Sequence, residues 1–530
     1  MGIDADYVVV GTGSAGAALA NRLSSDSRLR VVVLEAGPKD HDKFIHIPAA
    51  FSKLFRSEFD WDYLTEPQKE LNGRQIYWPR GKVLGGSSSM NAMMWVRGFA
   101  ADYDEWAAVA GEDWDFAHAL KYFERIENVQ NAGGRSTGAG GALHISPQRS
   151  PRRSTAAFLE AAQQCGYPVE RPNDALPQGF CQTFVTQRRG RRFSAADAYL
   201  KPIAKRSNLT LITDAQARRV VFDGTRAVGV EFDEAGARQM VRARAEVVLC
   251  CGTVNTPALL MLSGIGDRAQ LAEHGIEVVH HAPQVGKNLI DHLVTPLGFD
   301  VVNDSLFTAE KPLELVNYLL RRRGMLTSNV AEAYGFVRSR PELELPDLEL
   351  LFAPAPFFEE GLGDPYGHAV VLGPILLKPQ SRGTITLRSA DPAAKPAIDP
   401  QYLTDPGGMD RTAMMAGLRI ATNIARAPAL KDVLGKVARP LGARDTSEET
   451  LEQALSTCSH TLYHPVGTCR MGRDDAAVVD PALRVRGVEG LRVADASVMP
   501  TIIRGHTHAP TVLIGEKAAD LIKADAGKVR

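Results

Sequence analysis

Three histidines near the carboxyl-terminal end could transfer protons. His464 lies in YHPVGTCRMG, residues 463 to 472, and His506 and His508 lie in RGHTHAPT, residues 504 to 511. Histidine suits a general base near neutral pH because its ordinary pKa is about 6.5. Pro465 disfavours a helix at the residue before it, so we expect His464 on a turn or strand end, where catalytic residues are common. The residues alone leave a structural role for each histidine open.

The pair His506 and His508 also has the spacing of two metal ligands. No third ligand stands at a recognisable spacing, so the sequence predicts no metal site. The six cysteines contain no CxxC pair. This pattern favours reduced thiols in a cytoplasmic protein.

The length and charge of the chain bound what it can be. Its 530 residues predict at least two structural units with packed cores. A formal net charge of -1 gives no electrostatic reason to expect a nucleic acid partner. No apolar stretch approaches membrane-spanning length. Peripheral membrane contact and the oligomeric state stay open.

The amino-terminal segment DYVVVGTGSAGAALANRLSSDSRLRVVVLEAGP predicts a strand, a glycine turn, a helix and a second strand. Gly11, Gly13 and Gly16 have the GxGxxG spacing, which allows a tight turn, close approach of a pyrophosphate and close helix packing. Glu35 ends the second strand, where a carboxylate can bind ribose hydroxyls. We therefore predict a dinucleotide site. The motif does not separate NAD from FAD, and a plain NAD-dependent enzyme is one alternative.

Several longer segments carry a family resemblance. GKVLGGSSSMNAMMWVRG (81 to 98) and GTVNTPALLMLSGIG (252 to 266) resemble the two signatures of the glucose-methanol-choline (GMC) oxidoreductases. VGKNLIDH, SRGTITLRS, YHPVGTCRMG and LRVADASVMP are similar to further segments of the family, and the bacterial choline and alcohol dehydrogenase-like members are the most similar in pattern. The resemblance covers nearly the whole chain.

The resemblance implies an α/β fold with two domains. One is a Rossmann-like FAD-binding domain, expected from residues 1–149, 205–295 and 455–530. The other is a substrate domain with an antiparallel sheet flanked by helices, expected from residues 150–204 and 296–454. The hairpin at 217–232 is read as the return into the FAD domain, and a helix is expected near Thr256 and Pro257.

The resemblance also assigns the cofactor site. Asn91 and Ala92 are expected near the reactive N5 edge of the flavin. Met90 stands where some members carry the histidine that links FAD covalently, so we expect non-covalent FAD. The cofactor-binding residues expected in total are Gly11, Gly13, Ser14, Gly16, Glu35, Gly85, Gly86, Ser87, Asn91, Ala92, Val220, Asp495 and Ala496.

For the reaction, the resemblance implies hydride transfer from a primary alcohol to flavin N5, giving an aldehyde. His464 maps to the catalytic base and His506 to its partner, which would hold the alkoxide oxygen by hydrogen bonding. The electrons would pass to a quinone-like acceptor or to oxygen, with a dehydrogenase favoured. A non-redox FAD enzyme, such as a hydroxynitrile lyase or a photodecarboxylase, is a further alternative.

The substrate cavity is the least specified part of the sequence. Glu332 resembles the position with which choline-oxidising members hold a quaternary ammonium, and choline oxidation is therefore an alternative. Leu351 offers no polar group where choline oxidases have a histidine, which favours an apolar primary alcohol. The residues expected to line the cavity are Trp61, Met93, Glu332, Tyr334, Phe336, Leu351, Phe357 and His508.

Overall fold

The computed structural model describes residues 3–130, 140–174, 177–363 and 366–528. The α-helices of these residues are α1 Ser14–Leu23, α2 Lys43–His46, α3 Ala100–Ala110, α4 Phe116–Ile126, α5 Arg153–Gln164, α6 Gly252–Leu262, α7 Arg268–Glu273, α8 Pro312–Arg321, α9 Met409–Ala425, α10 Pro428–Lys431, α11 Glu448–Cys458 and α12 His508–Lys528. No described helix is long and apolar enough to cross a membrane.

The first large sheet is formed by both ends of the chain. Its strands run in the order Leu209–Ile212, Val31–Leu34, Ile3–Val10, Ala237–Leu249, Arg226–Glu234 and Ala215–Asp223, and Leu491–Val493 also pairs with Ala237–Leu249. The central pairings are parallel, whereas 215–223 and 226–234 form an antiparallel hairpin. Val31–Leu34 is buried at every position, as expected for a parallel strand covered on both faces.

The second large sheet is antiparallel. Its strands run in the order Leu434–Arg439, Leu297–Val301, Ala369–Leu376, Leu348–Ala353, Ala333–Val337 and Phe180–Gln182. Two strands expected in the first domain join it instead, because Leu293–Val294 pairs with both Ala369–Leu376 and His460–Thr461. Helices α5 and α9 pack on this sheet, and α11 packs on α9. One face of the sheet is turned toward the first sheet, and its side chains include Leu351 and Ala353.

Smaller strand groups complete the described chain. They are Tyr63–Leu64 with Tyr77–Trp78, Glu127–Val129 with Leu143–Pro147 and Phe184–Val185, Gln187–Arg188 with Arg191–Arg192, Ile265–Gly266 with His280–His281, and Thr384–Thr386 with Ala397–Asp399.

Helix α6 differs from the expectation in where it begins. It begins at Gly252 and not near Thr256, so Pro257 lies inside the helix. Proline lacks an N–H and leaves the carbonyl four residues earlier unpaired. That carbonyl, on Thr253, accepts a hydrogen bond from the Thr468 hydroxyl at 2.7 Å. The neighbouring loop thus satisfies the backbone group that the proline leaves free.

Candidate active site

A cavity of about 700 Å³ lies where residues of both sheets meet. Volumes of roughly 300–1,000 Å³ are typical of ligand and cofactor sites. Its lining includes the glycine turn after the first strand, the end of the second strand, the segment 86–94, the start of α6, and both predicted catalytic histidines. The local structure of each part shows what it can bind.

The glycine turn has the geometry that its spacing predicts. Gly11 has a φ of +102°, and a Cβ there would lie 2.4 Å from the Cys250 carbonyl oxygen. A Cβ on Gly16 would lie 2.0 Å from the carbonyl oxygen of Gly11, so this glycine permits close packing of α1 on the strand. A Cβ on Gly13 would meet nothing within 4 Å. Gly13 therefore leaves free space at the amino end of α1, where unpaired N–H groups attract phosphate.

A second glycine segment touches the first. A Cβ on Gly86 would lie 2.8 Å from the Gly13 Cα, and the Gly85 N–H donates to the Thr12 hydroxyl at 3.1 Å. Small residues in both segments let the two backbones meet without a side chain between them. The contact sets the shape of the cavity around the glycine turn.

Glu35 closes the opposite side of this turn. Its carboxylate accepts hydrogen bonds from the N–H groups of Thr12 and Gly37, both at 3.0 Å, and from the Thr12 hydroxyl. Burial raises the pKa of the Glu35 carboxyl, although these donors oppose the rise. The group lines the cavity in the place expected for a ribose ligand.

Asp495 caps the start of α6. Its carboxylate accepts from the Gly252 N–H at 2.8 Å and from the Thr256 hydroxyl at 2.6 Å. An acidic side chain at a helix amino terminus is stabilising because the first N–H groups lack helical partners. Burial raises the pKa of Asp495, against these hydrogen bonds.

Most of the predicted cofactor residues line the cavity, and three do not. Those in the lining are Gly11, Gly13, Ser14, Glu35, Gly86, Ser87, Asn91, Ala92, Asp495 and Ala496. Gly16 and Gly85 lie behind the lining, where they permit the close approaches described above. Val220 is buried in its strand, and its N–H donates to Ser263 at 2.8 Å. Ala215, Gln216 and Ala217, at the start of the same strand, line the cavity in its place.

These residues fit FAD. The open space at Gly13 together with the amino end of α1 suits a pyrophosphate, and the buried Glu35 carboxylate suits a ribose. The lining is continuous from these residues to Asn91, His464 and His506. One extended cofactor can therefore reach from the glycine turn to the histidines.

His464 is held on a strained turn by a buried carboxylate. Tyr463 has a φ of +68°, which is uncommon for a residue with a side chain. The His464 N–H donates to Asp291 at 2.9 Å, and the Thr461 hydroxyl donates to the same carboxylate at 2.6 Å. Burial raises the pKa of Asp291 to about 6. Asp291 thus fixes the backbone that carries the histidine.

A third histidine determines which nitrogen of His464 is free. His292 Nε2 lies 3.1 Å from the Leu377 carbonyl oxygen, which can only accept, so Nε2 carries the proton. The neutral His292 ring then has a lone pair on Nδ1, which lies 3.0 Å from Nδ1 of His464. His464 must donate from Nδ1, and its Nε2 is left as a lone pair. Burial lowers the pKa of His292 to about 3, which keeps this ring neutral.

His464 itself is also held neutral. Burial, followed by the proximity of His506 and His292, places its pKa well below the ordinary value. The His464 and His506 rings are nearly perpendicular, with centroids 4.7 Å apart.

His506 is paired with a buried carboxylate. Its Nε2 lies 3.0 Å from Oε1 of Glu349, and the Glu349 side chain is fully buried. The pairing leaves Nδ1 of His506 without a hydrogen-bond partner among the described residues. A proton on Nδ1 would let this nitrogen donate into the cavity while Glu349 occupies the other ring nitrogen.

The predicted substrate residues divide into two groups. Trp61, Met93, Leu351, Phe357 and His508 line the cavity. The side chains outside the lining are Glu332, Tyr334 and Phe336. Tyr334 and Phe336 pack in an apolar cluster with Phe99 and Leu462.

Glu332 supports a loop and does not face the cavity. Its carboxylate accepts from the Ser328 hydroxyl at 2.7 Å, the Thr155 hydroxyl at 2.6 Å and the Arg152 N–H at 2.7 Å. The same loop carries Asn329, whose side chain donates to the Ala92 carbonyl oxygen at 3.0 Å. The acid therefore positions the wall of the cavity near Ala92.

His508 joins the beginnings of two helices. It is the first residue of α12, and its Nδ1 lies 2.8 Å from the hydroxyl of Ser14, the first residue of α1. Burial lowers the pKa of His508 to about 4. Its contact with Ser14 places it beside the glycine turn.

A group with metal-ligand chemistry lies elsewhere in the described chain. Asp40, His46 and Asp197 bring their ligand atoms within 4.8 Å of one another. The Lys201 ammonium lies 2.7 Å from each carboxylate. A cationic side chain already fills the position between these two acids.

Asp291, His292 and Glu349 also belong to the site, and none of them is among the residues predicted from the sequence. The first two lie in VGKNLIDH, a segment recognised by resemblance without a role for its residues. Adjacent acid and imidazole groups in such a segment were a usable signal. Glu349 has no local signal, because only folding brings it to His506, 157 positions away.

The chain is similar to known proteins over nearly its whole length. A 69% identical protein, covering 99% of this chain and 100% of its own length, is an uncharacterised GMC-type oxidoreductase of Mycobacterium tuberculosis. An alcohol dehydrogenase [acceptor] of Pseudomonas putida is 42% identical over 98% of this chain and 95% of its own. Human mitochondrial choline dehydrogenase is 41% identical over 98% and 89%.

A solved structure and two family models also identify the fold and the family of the chain. The crystal structure of pyridoxine 4-oxidase from Mesorbium loti superposes with a TM-score of 0.88 at 32% identity, over 97% of this chain and 98% of the other. Two family models, both described as GMC oxidoreductase, match residues 5–294 and 379–515. The predicted fold class is confirmed, and the chain belongs to the GMC oxidoreductases, a family of FAD-dependent flavoproteins.

Proposed function

We propose that the protein oxidises a primary alcohol with a largely apolar carbon chain to the aldehyde. The observation that carries the proposal is the pair of ring nitrogens, His464 Nε2 and His506 Nδ1, that have no partner among the described residues while both rings line one cavity. One is assigned as a lone pair and the other can donate. An alcohol hydroxyl offers the complementary donor and acceptor.

Each imidazole then has one role. His464 Nε2 accepts the hydroxyl proton, because its Nδ1–H is committed to His292. His506 Nδ1–H donates to the oxygen as negative charge develops there, and Glu349 holds the opposite side of the ring. A positioned general base contributes typically ~10²–10⁴-fold in rate. Bound FAD supplies the acceptor for the hydride that the alcohol carbon loses.

Apolar side chains around the histidines support the choice of substrate. Leu351, Ala353, Phe357 and Val371 line this part of the cavity. They favour an aliphatic or aromatic chain over a polar one, since burial of apolar surface stabilises by about 25 cal/mol per Å².

We further propose dissociable FAD and a quinone-like electron acceptor. Met90 lines the cavity at the position where some relatives carry a histidine link, and a thioether does not form that bond. The relative named alcohol dehydrogenase [acceptor] supports transfer to an acceptor other than oxygen. Acid precipitation should release all of the flavin into the supernatant, and flavin kept in the pellet would contradict this.

Choline oxidation is the second candidate, favoured by the 41% identical choline dehydrogenase. The placement of Glu332 argues against it, because the expected ligand for the ammonium group is buried under three hydrogen-bond donors. The lining holds four other acids, Glu35, Asp60, Asp62 and Asp495, so choline belongs in the substrate panel of the experiment.

The experiment is anaerobic mixing of the purified flavoprotein with choline, aryl alcohols and medium-chain aliphatic alcohols while the flavin absorbance is followed. Bleaching by aliphatic or aryl alcohols and not by choline supports the proposal. Bleaching by choline alone would replace it with the second candidate. No bleaching by any alcohol would favour a non-redox enzyme. Reoxidation by a soluble quinone, compared with air, then separates dehydrogenase from oxidase.

A further inference from the structure

Helix α8 presents its apolar side to solvent. Of the fifteen large apolar side chains exposed in the described chain, five lie on this ten-residue helix. Leu313 and Leu320 are 77% and 79% exposed, and Leu319 is 57% exposed. The others are Leu315 and Val316. At 3.6 residues per turn these five residues cover an arc of roughly 160°.

The polar side of the same helix faces the protein. Glu314 accepts a hydrogen bond from the Met325 N–H at 2.9 Å, and Tyr318, the buried residue of the helix, donates to the His46 carbonyl oxygen at 3.4 Å. Asn317 lies against Gly324. This orientation is the reverse of that of a helix on a protein surface in water, whose apolar stripe faces the core. Contiguous exposed apolar surface of this kind marks an interaction site.

Positive charge surrounds the end of this helix. Arg321, Arg322 and Arg323 follow one another at its carboxyl terminus. The hairpin of 187–192 adds Arg188, Arg189 and Arg191, and it touches the helix end, because a Cβ on Gly190 would lie 2.7 Å from the Arg322 carbonyl oxygen. None of these six side chains forms an ion pair with an acidic residue of the described chain.

The acidic groups near the helix do not cancel this charge. Glu314 faces inward, and Glu310 pairs with Lys53 at 2.7 Å. Six unpaired arginines in a chain with a formal net charge of -1 are a strong local excess. The five exposed apolar residues of α8 and these six arginines together form one surface, called the docking face.

We propose that the docking face binds an anionic lipid membrane. An apolar helix side of this size can enter the boundary between headgroups and acyl chains, and arginines beside it attract acidic headgroups. A second copy of the chain would bring six arginines against six arginines if the same faces met, which disfavours that partner. An anionic lipid surface offers acyl chains to the apolar residues and acidic headgroups to the arginines.

The docking face lies on the cavity side of the molecule. Tyr318 packs in the same apolar cluster as Phe51, Phe55 and Phe357, which line the cavity. Docking would therefore bring a membrane next to the wall of the substrate site, where apolar alcohols and quinones dissolved in lipid are concentrated. Binding itself does not depend on the proposed reaction.

The test is co-sedimentation of the FAD-loaded protein with vesicles of phosphatidylcholine, with and without phosphatidylglycerol. We expect binding to the anionic vesicles and at least about tenfold weaker binding when the ionic strength rises from about 0.05 M to about 0.5 M. The double variants Leu313→Ser with Leu320→Ser, and Arg321→Glu with Arg323→Glu, should each lose about tenfold or more in affinity. Leu441→Ser and Arg268→Glu are matched controls at other exposed positions and should bind like the parent.

Flavin content and thermal melting show whether each variant is folded, and neither needs a known substrate. Binding that fails for the parent, or that survives both double variants, overturns the proposal. Light scattering measures the particle mass and so tests whether the docking face joins two copies of the chain. A particle of twice 57.4 kDa that returns to 57.4 kDa in the leucine variant, without vesicle binding, would make the face a contact between copies and would also overturn it.

Discussion

His292 and His464 face each other through like ring nitrogens, Nδ1 to Nδ1, at 3.0 Å. Two such nitrogens can bond only if one carries a proton and the other does not. The Leu377 carbonyl oxygen fixes the proton of His292 on Nε2, so the direction of the bond is set. The tautomer of His464 is therefore set by the Leu377 backbone carbonyl, which acts through His292 and does not contact His464 itself.

The first prediction concerns the base. His464→Ala should slow anaerobic flavin reduction by about 10²–10⁴-fold, since the proton of the alcohol then has no positioned acceptor. FAD should stay bound, because the cofactor contacts of the glycine turn are distant from this side chain. Stopped-flow absorbance measures the rate, and an unchanged rate would remove His464 from the mechanism.

The second prediction concerns the positioning residue His292. His292→Leu should lower kcat by about tenfold or more and leave KM nearly unchanged, because the His464 ring can then adopt either tautomer. His292→Gln, which can offer a carbonyl oxygen to the Nδ1–H, should recover part of the rate. Equal losses in both variants would point to a packing role only.

A third prediction concerns Glu349. Glu349→Leu should lower kcat strongly, because His506 loses the hydrogen-bond partner that holds its Nε2 and orients the ring. Glu349→Gln should be milder, since the amide can donate to Nε2 and leave the proton on Nδ1. Rapid-reaction kinetics of both variants with the same alcohol make the comparison. If Glu349→Leu matched the parent, the carboxylate would have no part in the reaction.

The fourth prediction separates two glycines of one motif. Gly13→Ala should fold normally and bind FAD at least about tenfold more weakly, because the added methyl enters only ligand space. Gly16→Ala should destabilise the protein itself by about 1–3 kcal/mol or more, since the methyl meets the Gly11 backbone. Urea unfolding and FAD titration measure the two effects. Normal FAD affinity in Gly13→Ala would contradict the assigned phosphate position.

A fifth prediction follows from the lowered pKa of His508. The folded value of about 4 lies below the unfolded value of about 6.5, so folding disfavours protonation. The stability that this neutral ring supplies is present above about pH 6.5 and is lost as the pH falls toward about 4. Relative to the parent, the destabilisation by His508→Asn should shrink by about 2 kcal/mol between about pH 7.5 and pH 5. Urea unfolding at both pH values, at a fixed FAD concentration, tests the sign.

The elements that could be predicted from the residues themselves are those that depend on local sequence patterns. The strand, turn and helix of residues 3–34 follow from β-branched runs and glycine spacing, which are properties of neighbours in the chain. Two glutamates of the substrate domain, Glu332 and Glu349, show what local patterns cannot predict. Glu332 and Glu349 both lie in or beside strands, and only the pairing of strands and the position of α5 decide which one reaches a histidine.

The start of α6 shows a second limit. Pro257 favours a helix that begins near it, but the helix begins five residues earlier. The Thr468 hydroxyl donates to the Thr253 carbonyl oxygen in place of the N–H that proline lacks. That partner is more than two hundred positions away. Long-range contacts of this kind leave no trace in local propensity.

The cavity is lined by residues from distant parts of the chain, which bears on how the protein is made. The glycine turn leaves the ribosome well before Asp495 and His506, which complete the same cavity. The strands of the second sheet, from Phe180–Gln182 to His460–Thr461, are synthesised between them. The nascent chain therefore has no finished pocket to hold flavin until residue 506 has left the ribosome, and we expect the yellow colour to appear late in the maturation of the protein.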